Sequence, residues 1–109
     1  MLGSDRDSFL VPSKIVNNQL LVATRSLIDC GANSYRFIDT EFVKLIALRL
    51  GLKKVPIKNP GLVNSYDGGS KQSASYIVFL TLQIDGHRFV NELFLILNLG
   101  KYKIILGKH

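Results

Sequence analysis

The run Leu27-Ile28-Asp29-Cys30-Gly31-Ala32-Asn33 sets a carboxylate directly after an apolar stretch and two residues before a glycine. A charge at the end of a buried strand is costly to desolvate unless a partner satisfies it or a reaction uses it. Gly31 permits a sharp turn and lets another backbone approach that carboxylate. Two readings of these seven residues stand side by side. One is a carboxylate held for acid–base work, and the other is an aspartate closing a turn on its own backbone amides. Asp67 and Asp85 fall in Asp-Gly turn signals and Asp39 at a helix start, so each has a structural use. Asp29 is the aspartate with the least obvious structural employment. A second nucleophilic combination pairs Cys30 with His87 as its base, but His87 follows Asp85-Gly86 in a turn, with no neighbour to orient it. Its expected place is an exposed hairpin position. One cysteine and two histidines make a structural zinc site improbable, and no cofactor is expected.

The elements that must position Asp29 read mostly as strands. Phe9-Leu10-Val11 and Ile15-Val16 lead into Asn17-Asn18, a pair that tolerates left-handed backbone and predicts a hairpin turn. Gln19 to Ala23 is the return strand, and Ser26-Leu27-Ile28 a short run ending at Asp29. Pro12 donates nothing to a ladder, which predicts an edge or bulged position for the first strand. Asp39 to Leu50 is the one helix, with Asp39 or Thr40 as cap, Glu41 at its positive end and Gly51 as its stop. Phe42, Leu45, Ile46 and Leu50, broadened by Val43, form its expected buried stripe. Lys53 to Pro60 is a connector. Leu62 to Tyr66 and Ser70 to Ile84 flank the hairpin signal Asp67-Gly68-Gly69, with Tyr76, Val78, Leu80, Leu82 and Ile84 on one face. Asp85-Gly86 turns into Phe89 to Leu97, and Gly100 breaks the chain before Tyr102 to Leu106. The sum is a mainly β fold: a small, largely antiparallel closed or sandwich-like barrel with one helix.

Composition bounds what such a fold can be. The chain has 109 residues, 47% hydrophobic and 20% charged, which suits one domain and is too apolar for a disordered segment. The domain is read as spanning 1–109, with residues 1–7 outside its folded part and Gly3-Ser4 as a cloning remnant. No apolar run approaches the roughly 20 residues of a membrane-spanning helix, and the polar opening has no signal-peptide core. A single cysteine excludes a disulfide framework and fits an intracellular, cytoplasmic setting. The net charge of +6 comes from basic residues scattered along the chain, without regular aromatic interleaving. A solvated surface explains it, and contact with nucleic acid is a weaker expectation.

Four segments resemble the retropepsins, in particular the protease domains of Ty3/gypsy-type retrotransposon polyproteins. Leu27-Ile28-Asp29-Cys30-Gly31-Ala32 is similar to their pattern of two apolar residues, Asp, Ser or Thr, Gly and Ala. Asn33 to Asp39 is similar to the polar stretch ending in Phe-Ile that they place before a helix. Ile104-Ile105-Leu106-Gly107 resembles their aliphatic-Gly signature near the domain end, and Asp67-Gly68-Gly69-Ser70 lies where they carry a flap. The resemblance covers roughly Ser8 to His109.

It implies a retropepsin-like barrel and an aspartic endopeptidase that processes a Gag-Pol-type polyprotein as a homodimer, each chain supplying one catalytic Asp29. Cys30, Gly31, Ala32 and Asn33 would support the catalytic loop. Tyr66, Asp67, Gly68, Gly69 and Ser70 would form the flap over a polypeptide substrate, and Ile105, Leu106 and Gly107 would brace the aspartate pair. The family has Ser or Thr where this sequence has Cys30, a weaker donor. It also continues past the aliphatic-Gly signature into a short helix, whereas this sequence reaches His109 two residues after Gly107. These departures motivate an alternative, a domesticated retropepsin-like module that binds or dimerises with little catalysis.

Overall fold

Period-two alternation and glycine- or asparagine-bearing turns generate a closed antiparallel-rich barrel in the computed structural model, which describes residues 8–17, 19–29, 35–57 and 74–107. The strands are β1 (Ser8–Asn17), β2 (Leu20–Asp29), β3 (Arg36–Asp39), β4 (Val55–Pro56), β5 (Tyr76–Ile84), β6 (His87–Leu97) and β7 (Ile104–Gly107). The helix α1 (Thr40–Leu50) lies between β3 and β4. Strand order is β1-β2-β7-β3-β6-β5, and a β1–β5 pairing closes the ring of six. β4 and β1 pair with opposite ends of β5, at Ile77/Tyr76 and at Thr81–Ile84.

The expected mainly β barrel with one helix is therefore the observed architecture, with three adjustments. β2 is one continuous strand, so the two short runs read on either side of Thr24-Arg25 join. Its ten residues pair throughout with β1, and this ladder carries the polar residues along. β3 is an unanticipated strand, too short to show a period. The sheet is also mixed, because β2–β7 and β3–β6 are parallel. Pro12 sits inside β1 opposite Arg25, while the β1–β5 ladder covers only Ser13–Val16. At Pro12 one side of β1 thus has no described partner.

The Asp85-Gly86 turn follows its residue types, whereas Asn17 belongs to β1 opposite Leu20, so the β1–β2 turn falls one residue later than the expected Asn17-Asn18. Asp85 and Gly86 both take positive φ (50° and 80°), the backbone of a type I′ hairpin. In the β1–β2 turn the described left-handed residue is Gln19 (φ 71°). The Asn17 side-chain amide donates to the Leu50 carbonyl, so this turn caps one of the carbonyls that α1 leaves unpaired.

Two clusters form the core. The first gathers Ile15, Ile38, Val78, Leu80, Leu82, Phe94, Ile96 and Ile104 under Phe42, Val43, Ile46 and Leu50 of α1. The second lies on the other face of the same strands, with Phe37, Leu95, Leu97 and Ile105 packed under Leu99 and Ala74. β3, the end of β6 and β7 are thus buried on both faces, which explains their unbroken apolar runs. Of the predicted helix stripe, Leu45 is corrected: it is 73% exposed, and Val43 takes the buried place beside Phe42, Ile46 and Leu50. The sheet occupies an arc centred between Val43 and Ile46, and Leu45 falls outside it. On β5 the expected face is buried from Val78 to Ile84, and Tyr76 at its start is exposed.

Candidate functional site

Asp29 is the last residue of β2 and is held in a ladder on both sides. It pairs with Ser8 of β1 and with Gly107 of β7. The β2–β7 register is parallel, with Leu27 beside Ile105, Ile28 beside Leu106 and Asp29 beside Gly107. Two motifs far apart in the sequence therefore lie side by side, residue for residue. β7 also pairs antiparallel with β3, Phe37 opposite Ile105 and Ile38 opposite Ile104. The chain leaves β2 on one flank of β7 and re-enters as β3 on the other. Gly107 closes this arrangement by donating its N–H to the Tyr35 carbonyl at 2.9 Å.

The positioning elements are rigid for reasons legible in their packing. Ile104 and Ile105 are 0% and 1% exposed on opposite faces of β7, so β7 is anchored from both cores at once. Leu27 joins the second cluster and Leu106 the first. Below Asp29, the buried Ser26 hydroxyl meets the Ser13 hydroxyl at 2.8 Å, satisfying both groups between β1 and β2. Asp29 itself is half-buried at the end of these paired strands.

Asp39, assigned to the helix start, occupies that role in full. Its Oδ2 accepts from the Glu41 and Phe42 amides at 3.1 and 3.2 Å. Its Oδ1 accepts from the Leu99 amide at 2.8 Å, and its own N–H donates to the Lys103 carbonyl at 2.8 Å. The cap thus also clamps the segment leading into β7, a link that no local pattern announces. Asp85 lies in its turn, and His87 is exposed at the start of β6 with Phe89 as its ring neighbour at 6.5 Å.

Of the sequence-derived site, the structure brings together Asp29, Ile105, Leu106 and Gly107. Cys30, Gly31, Ala32 and Asn33, and the flap residues Tyr66, Asp67, Gly68, Gly69 and Ser70, lie outside the described residues. The described residues on either side of the expected flap pair with each other: Val55 and Pro56 face Ile77 and Tyr76, and the Ile57 amide donates to the Ser75 carbonyl at 2.9 Å. Sequence reasoning did not single out Ser8 or Tyr35, and only strand pairing reveals them. Among the described residues no cluster of three potential metal ligands occurs, and no helix is long and apolar enough to cross a membrane. The chain matches no protein-family model, no curated protein and no solved structure.

Proposed function

We propose that this chain is one subunit of a homodimeric aspartic endopeptidase that cleaves a retroelement Gag-Pol-type polyprotein in an intracellular, cytoplasmic setting. The observation that carries the reading is the parallel register of Leu27-Ile28-Asp29 with Ile105-Leu106-Gly107. The two segments that resemble the retropepsin signatures are neighbours in space, with Asp29 at the end of their shared ladder.

In the proposed dimer, Asp29 of each chain contributes one carboxylate to a pair. Two carboxylates held a few ångströms apart cannot both ionise readily, so the pair shares a proton. The ionised member takes a proton from water, which attacks the scissile carbonyl. The protonated member stabilises the developing oxyanion and donates to the departing amine. The sequence Asp67-Gly68-Gly69 holds the glycines that a hairpin closing over an extended substrate needs.

The decisive experiment compares the chain with Asp29→Asn, using a mixed peptide library read by mass spectrometry alongside sedimentation at several concentrations. Cleavage is expected to follow the dimer population and to vanish in the variant. Cleavage retained by Asp29→Asn overturns the reading. Cys30 in place of Ser or Thr favours one other reading, a domesticated module of the same fold that binds without cutting. A folded chain that is monomeric and inactive at every concentration supports that alternative.

A further inference from the structure

Four of the basic residues that look scattered in sequence lie close together. Beside β2 lies an open groove of about 610 Å³ whose walls include Leu10, Ala23, Arg25, Lys101, Tyr102 and Lys103. The first β2–β7 pair is Ser26 with Ile104, so Arg25 and Lys103 precede it side by side on the two neighbouring segments. Lys14, opposite Ala23 in the β1–β2 ladder, adds a fourth exposed cation at the margin. No described carboxylate lines the groove. The two described ion pairs, Arg36–Glu92 and Lys44–Glu41, involve none of its cations. Lys101 and Lys103 rest instead over the rings of Tyr102 and Phe42, at 5.3 and 5.8 Å. Such contacts leave ammonium protons available to an anionic ligand.

We propose that this groove docks an acidic polypeptide segment in extended conformation, added along the open edge of β2. The occupant follows from three features. First, β2 pairs with β1 along its whole length but with β7 only from Ser26 onward. Ala23 to Arg25 therefore present an edge with no strand partner among the described residues, which is what strand addition requires. Second, three lining cations without a lining carboxylate complement acidic side chains. Third, Leu10, 48% exposed, and Ala23 give the groove an apolar part suited to aliphatic side chains between the acidic ones. A nucleic-acid strand would make less use of the site, because Lys101 already lies over the Tyr102 ring on which a base would stack.

The groove wall is preorganised. Asp39 holds the Leu99 amide and the Lys103 carbonyl, and Tyr102 donates back to Leu99, so the 99–103 segment is fastened at both ends. Little ordering remains to oppose binding. Arg25 lies four residues before Asp29 on β2, roughly 13 Å away at the usual strand rise. The inference stands apart from the protease reading, and its test measures binding and not cleavage.

The probe is a fluorescein-labelled octapeptide of alternating Glu and Val, titrated with the full chain by anisotropy at low salt, beside a twelve-nucleotide oligothymidylate. The triple variant Arg25→Gln/Lys101→Gln/Lys103→Gln is compared with Lys44→Gln/Lys53→Gln/Lys54→Gln, which removes equal charge elsewhere. Saturable peptide binding is expected, weakened about tenfold or more by the groove triple and less than about twofold by the other. Peptide addition should also slow amide exchange within Ala23 to Arg25. Equal weakening by both triples means adsorption to net charge and overturns the proposal. Tighter binding of the oligothymidylate, or no saturable peptide binding, overturns it as well.

Discussion

Ile28-Asp29 closes β2 and Ile38-Asp39 closes β3, and β7 runs between the two strand ends. Both strands end in Ile-Asp, yet the two strand ends lie in different surroundings. Asp39 is followed by Thr40-Glu41-Phe42, whose amides turn onto its side chain, and it is 7% exposed with three backbone donors. Asp29 is half-buried, lies beside Gly107 and is followed in the sequence by Cys30-Gly31-Ala32. An aspartate at a strand end is therefore read by what satisfies it. Asp39 is consumed by the fold, whereas Asp29 ends a ladder built from two distant motifs.

The contrast breaks most sharply in paired substitutions. Asp29→Asn should lower peptide cleavage by at least about 10³-fold, or ~4 kcal/mol of transition-state stabilisation, with the thermal midpoint little changed. A large loss of stability would instead make Asp29 a second Asp39. Asp39→Ala should destabilise by about 2–4 kcal/mol in urea unfolding, combining a lost cap with the orphaned Leu99 amide. Asp39→Asn, which still caps, should recover part of that loss. If Asp39→Ala left stability intact, the clamp between α1 and the 99–103 segment would carry no weight.

Smaller effects refine the picture around Asp29. Ser26→Ala leaves the buried Ser13 hydroxyl without its partner and should cost about 1–2 kcal/mol, while the double Ser13→Ala/Ser26→Ala change should cost less than the sum of the singles. A double-mutant cycle in urea reads this directly. Smallest of all, Leu48→Gln should shift stability by less than about 0.5 kcal/mol, since Leu48 is 94% exposed. Ile46→Ala on the opposite side of the same helix should cost about 2–4 kcal/mol. Similar values for the two would mean that α1 sits on the barrel in another orientation.

Much of the architecture was legible where local chemistry decides. Asp39, Gly51 and Asp85-Gly86 sit where their backbone preferences put them: a cap, a left-handed stop at φ 69°, and a two-residue turn. The alternation from Val78 to Ile84 likewise predicted its buried face. Leu45 was misread because period alone does not say where on the helix the sheet's arc is centred. β3 was missed because four residues carry no measurable period. The basic groove escaped for a different reason: Arg25 and the Lys101–Lys103 segment meet only through the β2–β7 pairing, although Lys101-Tyr102-Lys103 after Gly100 was a local hint.

The sequence by itself determined the kinds of element, the Asp85-Gly86 turn and the helix caps, because these depend on neighbours within a few residues. Tertiary structure alone decided that β7 inserts between β2 and β3, bringing Gly107 to Asp29, and that β2 keeps an open edge beside three cations. The physical reason is the closed ring. A parallel strand pair has no short turn to announce it, and its register is set by burying Ile104 and Ile105 in two cores at once.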